Sequence, residues 1–366
     1  MDKLIRFLDV YVPTEICNFK CEYCYISVQG GNSNKIQSLK KIQPLVKDAF
    51  SKKKLGGCCL INLCAGGETL LNLEILPIIK TILENGHYVS VVTNGTVTKA
   101  FDEIITWNKE LLGRLAFKVS YHYLELKRLN LFDVFFNNIK KAYMSGCSIF
   151  FEVTPYDKLE ANADDLIALA RKELGIEPNF TIARNDSKVE IDILTEKTEK
   201  EYLDFWGKYN SELFNVKRQL LHVKRKEYCY AGCWSYNIVL LSGDIYPCYG
   251  KEAIGNIYKV KKLPLKPVGC CCSIPYCFNG HSYLTLGDIP ELNLSTYAQV
   301  RDKVTVNGEH LVKEPFYSFI NQKLCDNNKI FSNSKKKRLA KQKKTFRQKL
   351  SNSIIGKIYR KIRGKK

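Results

Sequence analysis

The sequence predicts an α/β fold: a partial (β/α)6 TIM-like barrel, then a small cysteine-rich domain and a basic C-terminal tail. Six apolar runs alternate with stretches of helical periodicity, and seven of the fifteen cysteines fall between Cys229 and Cys277. The chain has 366 residues, 45% of them hydrophobic and 26% charged, which is ordinary for a folded protein of two domains. This composition excludes a chain that is disordered throughout.

The six apolar runs have the length and the bounding residues of buried strands. We predict strands at Arg6–Pro13, Cys58–Cys64, His87–Thr93, Leu115–Tyr121, Cys147–Thr154 and Asn179–Arg184. The helical stretches between them are Lys35–Lys53, Asn72–Glu84, Leu131–Met144 and Ala163–Leu174. Such alternation implies a parallel sheet with right-handed crossovers, and six units are fewer than the eight of a closed barrel.

The pattern changes after the sixth strand. Residues 1–195 are predicted to form the barrel, and Lys200–Leu221 has the periodicity of one long helix within a linker at 196–228. The cysteine-rich domain is predicted at 229–330, and the basic tail at 331–366.

Three cysteines directly follow the first strand. Cys17, Cys21 and Cys24 have the spacing C-x3-C-x2-C, and Tyr23 precedes the last of them. Thiolates a few residues apart let one loop wrap an iron–sulfur cluster, and three ligands leave one iron open for catalysis. A zinc site would require a fourth Cys or His nearby, and the loop contains none. The pattern therefore predicts a catalytic cluster at the carboxyl end of a strand, where parallel sheets place their active sites.

This loop resembles the cluster loop of radical S-adenosylmethionine (SAM) enzymes. The resemblance implies a [4Fe–4S] cluster on Cys17, Cys21 and Cys24, whose open iron is chelated by SAM. It also implies reductive cleavage of SAM to a 5′-deoxyadenosyl radical, which abstracts hydrogen from a substrate. A reductant such as flavodoxin or ferredoxin is implied as a partner.

Further positions match the family at the ends of the next strands. The second strand ends in Ala65-Gly66-Gly67-Glu68, similar to the GGE motif that contacts the amino group of SAM, with Thr69 where many members have Pro. An Asn-Gly turn follows the third strand and a serine ends the fourth, and an ordinary turn or a strand-end hydroxyl remains the alternative there. The cofactor-binding residues that the resemblance implies are Tyr23, Gly66, Gly67, Glu68, Asn94 and Ser120.

Three other side chains near strand ends are weaker candidates. Glu152 and Arg184 lie on the fifth and sixth strands, where they would face a substrate. His122 follows the fourth strand and is either an acid or base of the substrate pocket or a buried, satisfied histidine.

The second group of cysteines resembles the SPASM and twitch extensions of the same superfamily. Cys233, Gly243 and Cys248 have the spacing C-x9-G-x4-C, with a Ser-Gly-Asp turn between two apolar runs. The full SPASM pattern of later cysteines is missing, so one auxiliary [4Fe–4S] cluster is predicted in this auxiliary-cluster domain. A structural zinc site is the alternative. The metal ligands that the resemblance implies are Cys229, Cys233, Cys248 and Cys277, with Cys272 as a substitute.

The net charge of +20 is a property of the tail. Residues 333–366 carry 15 Lys or Arg and no acid, which leaves +5 for the rest of the chain. Ile354, Ile355, Ile358 and Ile362 fall on one face of a helix with basic residues between them. The tail therefore favours attachment to an anionic membrane surface, with a solvated tail as the alternative. Few aromatic residues accompany the charges, so nucleic acid is not the favoured partner.

These observations predict an enzyme with radical SAM chemistry. The tail favours a sugar or a surface-polysaccharide precursor as substrate, and a peptide- or sulfatase-maturing enzyme is the alternative. Because the first strand is predicted to begin near Arg6, we expect no peptide-recognition domain before it, which disfavours peptide maturation without excluding it. An alternative of another class is a zinc-stabilised module that binds nucleic acid or lipid. Fifteen cysteines without an apolar N-terminal segment favour the cytoplasm, with the tail at the inner face of the membrane.

Overall fold

The computed structural model describes residues 2–28, 35–186, 191–270, 272, 277–278 and 280–341. Its strands are β1 (Arg6–Val12), β2 (Cys59–Ala65), β3 (Tyr88–Thr93), β4 (Leu115–Ser120), β5 (Ser148–Val153), β6 (Asn179–Phe180), β7 (Arg184–Asn185), β8 (Asp192–Ile193), β9 (Ser235–Val239), β10 (Asp244–Tyr246) and β11 (Gly255–Asn256).

The helices before the cysteine-rich region are α1 (Tyr25–Val28), α2 (Gln43–Ala49), α3 (Lys52–Leu55), α4 (Ile75–Glu84), α5 (Thr98–Ile104), α6 (Lys109–Leu112), α7 (Tyr123–Leu129), α8 (Phe132–Ser145), α9 (Ala163–Leu174), α10 (Glu199–Gly207) and α11 (Glu212–Leu220). Those that follow are α12 (His281–Thr285), α13 (Tyr297–Arg301), α14 (Phe316–Ile320) and α15 (Leu324–Asn327). Short 3-10 helices lie at Thr69–Leu71 and Asp157–Asn162.

Nine strands form one sheet in the order β11-β10-β9-β1-β2-β3-β4-β5-β6. Strands β1 to β6 are parallel and adjacent in chain order, which confirms the predicted partial barrel. Strand β9 pairs in parallel with the free edge of β1, and β10 and β11 continue antiparallel. The hairpin of the cysteine-rich region thus extends the barrel sheet.

The two faces of the sheet are covered by different parts of the chain. Leu8, Val10 and Ile61 pack in one cluster with the apolar face of α4. On the other face, Tyr88 stacks on Phe319 at 3.8 Å between ring centroids, and Phe150 contacts Tyr297 edge-on at 5.9 Å. The C-terminal segment therefore covers the inward face of the barrel, while the crossover helices cover the outward face.

Inward-facing residues change character along each strand, because every second residue points to the same side. The first on each strand is Phe7, Leu60, Tyr88, Ala116 or Phe150, and all five are buried in one apolar cluster. The second is polar on all five strands: Asp9, Asn62, Ser90, Lys118 and Glu152. The third is half-buried: Tyr11, Cys64, Val92 and Ser120. The barrel is thus closed at the amino end of its strands and accessible at the carboxyl end.

Two predicted helices are broken in the structure. Over Lys35–Lys53 the chain forms α2, which has Pro in its first turn, and then α3, whose first turn is capped by Ser51. Lys200–Leu221 forms α10 and α11, since Asn210 adopts a left-handed φ of +47° between them. The prediction of one long helix is therefore wrong in this detail.

The sixth strand is shorter than predicted. Strand β6 ends at Phe180, and the backbone N–H of Ala183 donates to the Tyr202 hydroxyl at 3.1 Å. Because that donor bonds to α10, the chain leaves the sheet and Arg184 pairs in a separate hairpin with β8. Within the described part of the chain, no helix has the length and apolar character to cross a bilayer.

A buried histidine joins the outer helices to the sheet. The side chain of His87 is fully buried, and its Nε2 lies 2.7 Å from the carbonyl of Phe50. Its Nδ1 accepts the backbone N–H of Cys59 at 3.1 Å, so the ring is neutral and both nitrogens are bonded. Burial lowers the pKa of His87 to about 4. A proton on Nδ1 would face an N–H donor.

We expect the free energy of unfolding to fall as the pH drops from about 6.5 toward 4, because the unfolded chain then binds a proton that folded His87 does not. At pH 5.5 the loss from this residue is about 1–1.5 kcal/mol relative to pH 7.5. Urea denaturation of wild type and His87→Gln at both pH values measures it. The variant should show the smaller change, whereas His222→Gln, at an exposed histidine, should behave like wild type. Equal pH dependence in wild type and His87→Gln would contradict the expectation.

Candidate functional site

The three cysteines after β1 lie in one loop at the carboxyl end of the sheet. Cys17, Cys21 and Cys24 are all half-buried. Burial raises the pKa of Cys21, and charge on Glu125, Cys17 and Cys24 raises it further. The Sγ of Cys17 accepts the backbone N–H of Phe19 at 3.4 Å, and the N–H of Cys24 donates to the carbonyl of Cys21 at 3.1 Å. The structure therefore brings the three predicted thiols together.

The segment just before this loop is hydrogen-bonded to the turn that follows β2. The N–H of Gly67 donates to the carbonyl of Thr14 at 2.7 Å, and the N–H of Glu68 donates to that of Ile16 at 2.9 Å. A Cβ on Gly67 would lie 2.0 Å from the Ile16 oxygen, and one on Gly66 would lie 2.8 Å from the Tyr11 hydroxyl. Gly67 is thus required by the chain's own close packing, because its neighbour is backbone, whereas the neighbour of Gly66 is the end of the Tyr11 side chain.

The carboxylate of Glu68 is buried at the junction of β2 and β3, with 2% of the residue exposed. Its Oε1 accepts the N–H of Leu70 at 3.0 Å and the hydroxyl of Thr93 at 2.7 Å. Its Oε2 accepts the N–H of Asn94 at 2.6 Å. Burial raises the pKa of Glu68, and the three hydrogen-bond donors offset part of that rise. A carboxylate has about four lone-pair directions, so one remains for a further donor.

Asn94 links the third strand to the cysteine loop. Its Nδ2 donates to the Asn18 side chain at 2.7 Å and lies 4.0 Å from the Sγ of Cys17. Its Oδ1 accepts the backbone N–H of Thr96 at 3.1 Å. Asn94 therefore orients the loop beside the thiols. Ser120 ends β4 with a half-buried side chain in the third inward layer.

Tyr23 and His122 form a pair beside the thiols. The Tyr23 hydroxyl lies 2.5 Å from Nδ1 of His122, and the Sγ of Cys21 lies 3.5 Å from the same nitrogen. Burial lowers the pKa of His122 to about 4, so the ring is neutral. The Tyr23 ring also packs on Tyr156 at 4.3 Å between centroids. Tyr23 is itself a residue of the cysteine loop, and its hydroxyl and the Cys21 thiol both lie at hydrogen-bond distance from His122.

The loop fits an iron–sulfur cluster. Burial raises the pKa of Cys17 to about 11, so a metal partner is required for its thiolate to form at neutral pH. The Phe19 N–H and the His122 ring lie at hydrogen-bond distance from two of the sulfurs, and such contacts accompany cluster ligands. Cys17, Cys21 and Cys24 are the residues that would hold the cluster, with Glu68 in position to bind a cationic group beside it.

The cysteines of the second group are placed in two neighbouring environments. Burial raises the pKa of Cys229, and charge on Asp288, Cys248 and Cys277 raises it further. Burial also raises the pKa of Cys248 to about 12, with contributions from Cys277 and Cys272. Cys233 is buried in the apolar cluster below the barrel, where burial and Asp288 raise its pKa to about 12. The structure thus groups Cys229, Cys248, Cys272 and Cys277, with Cys233 next to Trp234 in the adjoining core.

The thiols are not at zinc spacing. In a tetrahedral site with Zn–S bonds near 2.3 Å, the sulfurs would lie about 3.8 Å apart. Among the residues that the structure describes, the one set of three metal-type ligand atoms within 4.8 Å of one another is Asp192, Glu199 and His222, all exposed. Within the described residues, neither cysteine group therefore has three sulfurs at the spacing of a bound zinc ion.

Several residues of the site were not singled out from the sequence. Asn18 bonds Asn94, Thr93 bonds Glu68, and Glu125 of α7 accepts the backbone N–H of Lys20 at 2.8 Å. Polar residues at the carboxyl ends of strands are the signal that could have identified Thr93. Glu125 has no such signal, because its role depends on how α7 packs against the loop.

Residues 11–149 match the model of the Radical SAM superfamily. The chain is 33% identical over 91 residues to 7-carboxy-7-deazaguanine synthase of Thermoplasma acidophilum, covering 24% of this chain and 38% of that protein. It is 29% identical over 157 residues to GTP 3′,8-cyclase of Pasteurella multocida, covering 41% of this chain and 42% of that protein. The chain thus spans about two fifths of the length of these curated relatives.

Similar solved structures include anSMEcpe with bound AdoMet, at a TM-score of 0.46 and 15% identity over 70% of this chain and 79% of that chain. Streptococcus suis SuiB has a TM-score of 0.46 and 14% identity over 71% of this chain and 64% of that chain. BtrN in complex with AdoMet and 2-DOIA has a TM-score of 0.34 and 16% identity, over 70% of this chain and 80% of that chain.

Gly67→Ala should displace the cysteine loop, because the new Cβ would meet the backbone of Ile16. We expect a loss of about 1–3 kcal/mol in the free energy of unfolding, as for overpacking, and loss of the iron bound by this loop. Thermal melts and iron analysis after anaerobic reconstitution measure both.

Gly207→Ala is the matched control, because its Cβ would meet only side-chain atoms at 3.7 Å or more. This variant should keep the iron content and stability of wild type. Retention of full iron by Gly67→Ala would show that the turn does not position the loop.

Proposed function

We propose that this chain, whose residues 11–149 form a radical SAM domain, is an enzyme that cleaves S-adenosylmethionine reductively. The observation that carries the proposal is the placement of Cys17, Cys21 and Cys24 on one loop, directly after Thr14 and Ile16, whose carbonyls accept the N–H groups of Gly67 and Glu68. When bound, a [4Fe–4S] cluster and SAM supply radical chemistry, the abstraction of a hydrogen atom from a substrate.

The chain's own residues would bind and orient these groups. Glu68 has one lone-pair direction left after its three hydrogen bonds, which suits the ammonium group of SAM. Asn94 and Ser120 line the same end of the sheet and would contact the rest of the cofactor. Tyr23 and His122 would hold the Cys21 side of the loop and exclude water from it.

The second cysteine group would hold one auxiliary [4Fe–4S] cluster. The ligands we propose for this cluster are Cys229, Cys248, Cys272 and Cys277, because each of these thiols interacts electrostatically with at least one of the others. Cys233 is the alternative ligand. Such a cluster would either accept an electron from the substrate or hold the substrate in position. A flavodoxin or ferredoxin would supply the electron that the first cluster needs.

A polar substrate is proposed, with a sugar or a surface-polysaccharide precursor as its class. Ser90 donates to the Asn62 amide oxygen at 2.8 Å, and the Asn62 amide donates to Asp9 at 2.8 Å. Tyr249 from the auxiliary region also bonds Asp9. An interior with so many hydrogen-bond donors and acceptors suits a hydroxyl-rich substrate better than it suits the apolar side chain of a peptide. Peptide maturation is the alternative function. A peptide substrate would occupy the same site and should therefore compete with sugars for binding.

Cys17→Ser should abolish the formation of 5′-deoxyadenosine and lower the bound iron from about eight atoms per chain to about four, since each cubane holds four. Cys325→Ser, at a half-buried cysteine of α15, is the control and should change neither. Product chromatography and iron analysis on anaerobically reconstituted protein check the expectation.

Undiminished 5′-deoxyadenosine in Cys17→Ser would overturn the proposed function. A wild-type chain with about four iron atoms and one zinc would favour a structural zinc site in the second group. About twelve iron atoms would indicate a second auxiliary cluster.

The tail is proposed as a membrane attachment. Ten of its 15 basic residues and its four isoleucines follow Lys341, outside the described residues, so the predicted apolar helix face remains a prediction. The part of the tail that is described packs on the protein: the N–H of Phe331 donates to the Tyr230 hydroxyl at 2.8 Å, and Lys336 lies over the Tyr228 ring at 4.8 Å. A chain that ends at Lys341 therefore keeps these contacts.

The full chain should sediment with vesicles of phosphatidylserine and phosphatidylcholine at low salt, and the chain ending at Lys341 should stay in the supernatant. Binding should weaken above ~0.15 M salt, where the screening length is about 8 Å. Both chains should form 5′-deoxyadenosine equally, because the site lies upstream of the tail. Equal sedimentation of the two chains would remove the membrane assignment, and a preference for RNA over vesicles would replace it with nucleic-acid binding.

A further inference from the structure

Buried cations gather inside the barrel, behind the cysteine loop. Lys118 is the second inward residue of β4 and lies 3.6 Å from Glu152 on β5. Arg301 of α13 forms an ion pair with the same Glu152, and its side chain is fully buried. One carboxylate therefore serves two cations.

A second pair of cations comes from the segments after β6. Arg184 lies 3.6 Å from the centroid of the Tyr25 ring and pairs with Asp186 at 3.2 Å. Lys217 of α11 donates to the Thr181 hydroxyl at 2.6 Å, and only 5% of the residue is exposed. Over the described ranges of the chain, Lys217 forms no ion pair with a carboxylate.

The two pairs act on one another. Burial lowers the pKa of Lys217 well below its usual value, and the charges of Arg184 and Lys118 lower it further, against the attraction of Asp186. Burial also lowers the pKa of Lys118 to about 7, with smaller contributions from Arg301 and Arg184. His281 of α12 lies 2.6 Å from Arg301 and adds no negative charge.

Among the described residues of this interior, basic side chains outnumber acidic ones. Lys118, Arg184, Lys217 and Arg301 lie near three carboxylates, those of Asp9, Glu152 and Asp186. Asp9 already accepts from Asn62 and Tyr249. Like charges buried together are unfavourable unless an anion joins them, because a low dielectric strengthens their repulsion.

The cations are accessible from the open end of the barrel. The side chains of Lys118 and Arg184 are 20% and 16% exposed, and the third inward layer above them is half-buried. On β4, Lys118 lies one inward layer below the half-buried Ser120, and Lys217 is less exposed than Lys118 and Arg184.

We propose that Lys118, Arg184 and Lys217 bind a phosphate group of the substrate inside the barrel. The inference rests on the proposed function and narrows its substrate to a phosphorylated one, such as a sugar phosphate or a nucleotide-linked sugar. An arginine fork with two lysine ammonium groups is a donor set that suits phosphate, and a dianion offsets more of the excess charge than a carboxylate does.

Equilibrium dialysis of the reconstituted full chain against labelled inorganic phosphate tests the proposal without turnover. Lys118→Met and Lys217→Met should each weaken phosphate binding at least tenfold. Lys54→Met is the control, because Lys54 is equally buried but pairs with Asp48 at 2.7 Å on the outer helices. The basic tail is common to all these chains, so its phosphate binding cancels in the comparison.

Cys17→Ser separates this inference from the proposed function, since it should lose SAM cleavage and keep phosphate binding. If Lys118→Met or Lys217→Met fails to fold, phosphate should protect Lys118 of the wild type from acetylation, as judged by mass spectrometry, and should leave the acetylation of Lys40, whose side chain is 79% exposed, unchanged. Unchanged phosphate binding in both folded variants, no protection of Lys118, or equally tight binding of acetate would each overturn the proposal.

Discussion

The contact between the turn after β2 and the segment before the cysteine loop is the constraint on which the site depends. Gly67 and Glu68 donate their N–H groups to the backbone carbonyls of Thr14 and Ile16. The two backbones come so close at Gly67 that only a residue without a Cβ fits there. The same turn buries the Glu68 carboxylate, which then bonds Thr93 and Asn94 at the end of β3. One close backbone contact thus aligns the ends of three strands.

The inward face of the sheet connects this site to the C-terminal part of the chain. Arg301 reaches Glu152 from α13, and the Asn179 amide of β6 donates to the Arg301 carbonyl at 2.9 Å. Tyr249, which follows Cys248, bonds Asp9 on β1. Because these polar groups are buried, each is costly without its partner, so the barrel and the cysteine-rich region stabilise one another.

The prediction of the fold from sequence is accurate where apolar periodicity is strong. Strands β1 to β5 match their predicted bounds to within two residues, and Ala163–Leu174 is a helix as predicted. It is inaccurate where a single turn residue decides the structure, as at Asn210 between α10 and α11. It is also inaccurate after Phe180, because the Tyr202 hydroxyl takes a backbone donor that would otherwise extend the strand.

By itself, the sequence determined the fold class, the cysteine loop and the Gly-Gly-Glu turn, since these depend on spacing along the chain. Only the tertiary structure decided why Gly67 is a glycine, that Cys272 lies with Cys248, and that four cations share one interior. Lys118 and Glu152 are visible in the sequence as single charges in apolar strands. What surrounds them depends on α11 and α13, which are distant in sequence and meet the sheet only when the chain folds, because burial and charge are properties of that packing.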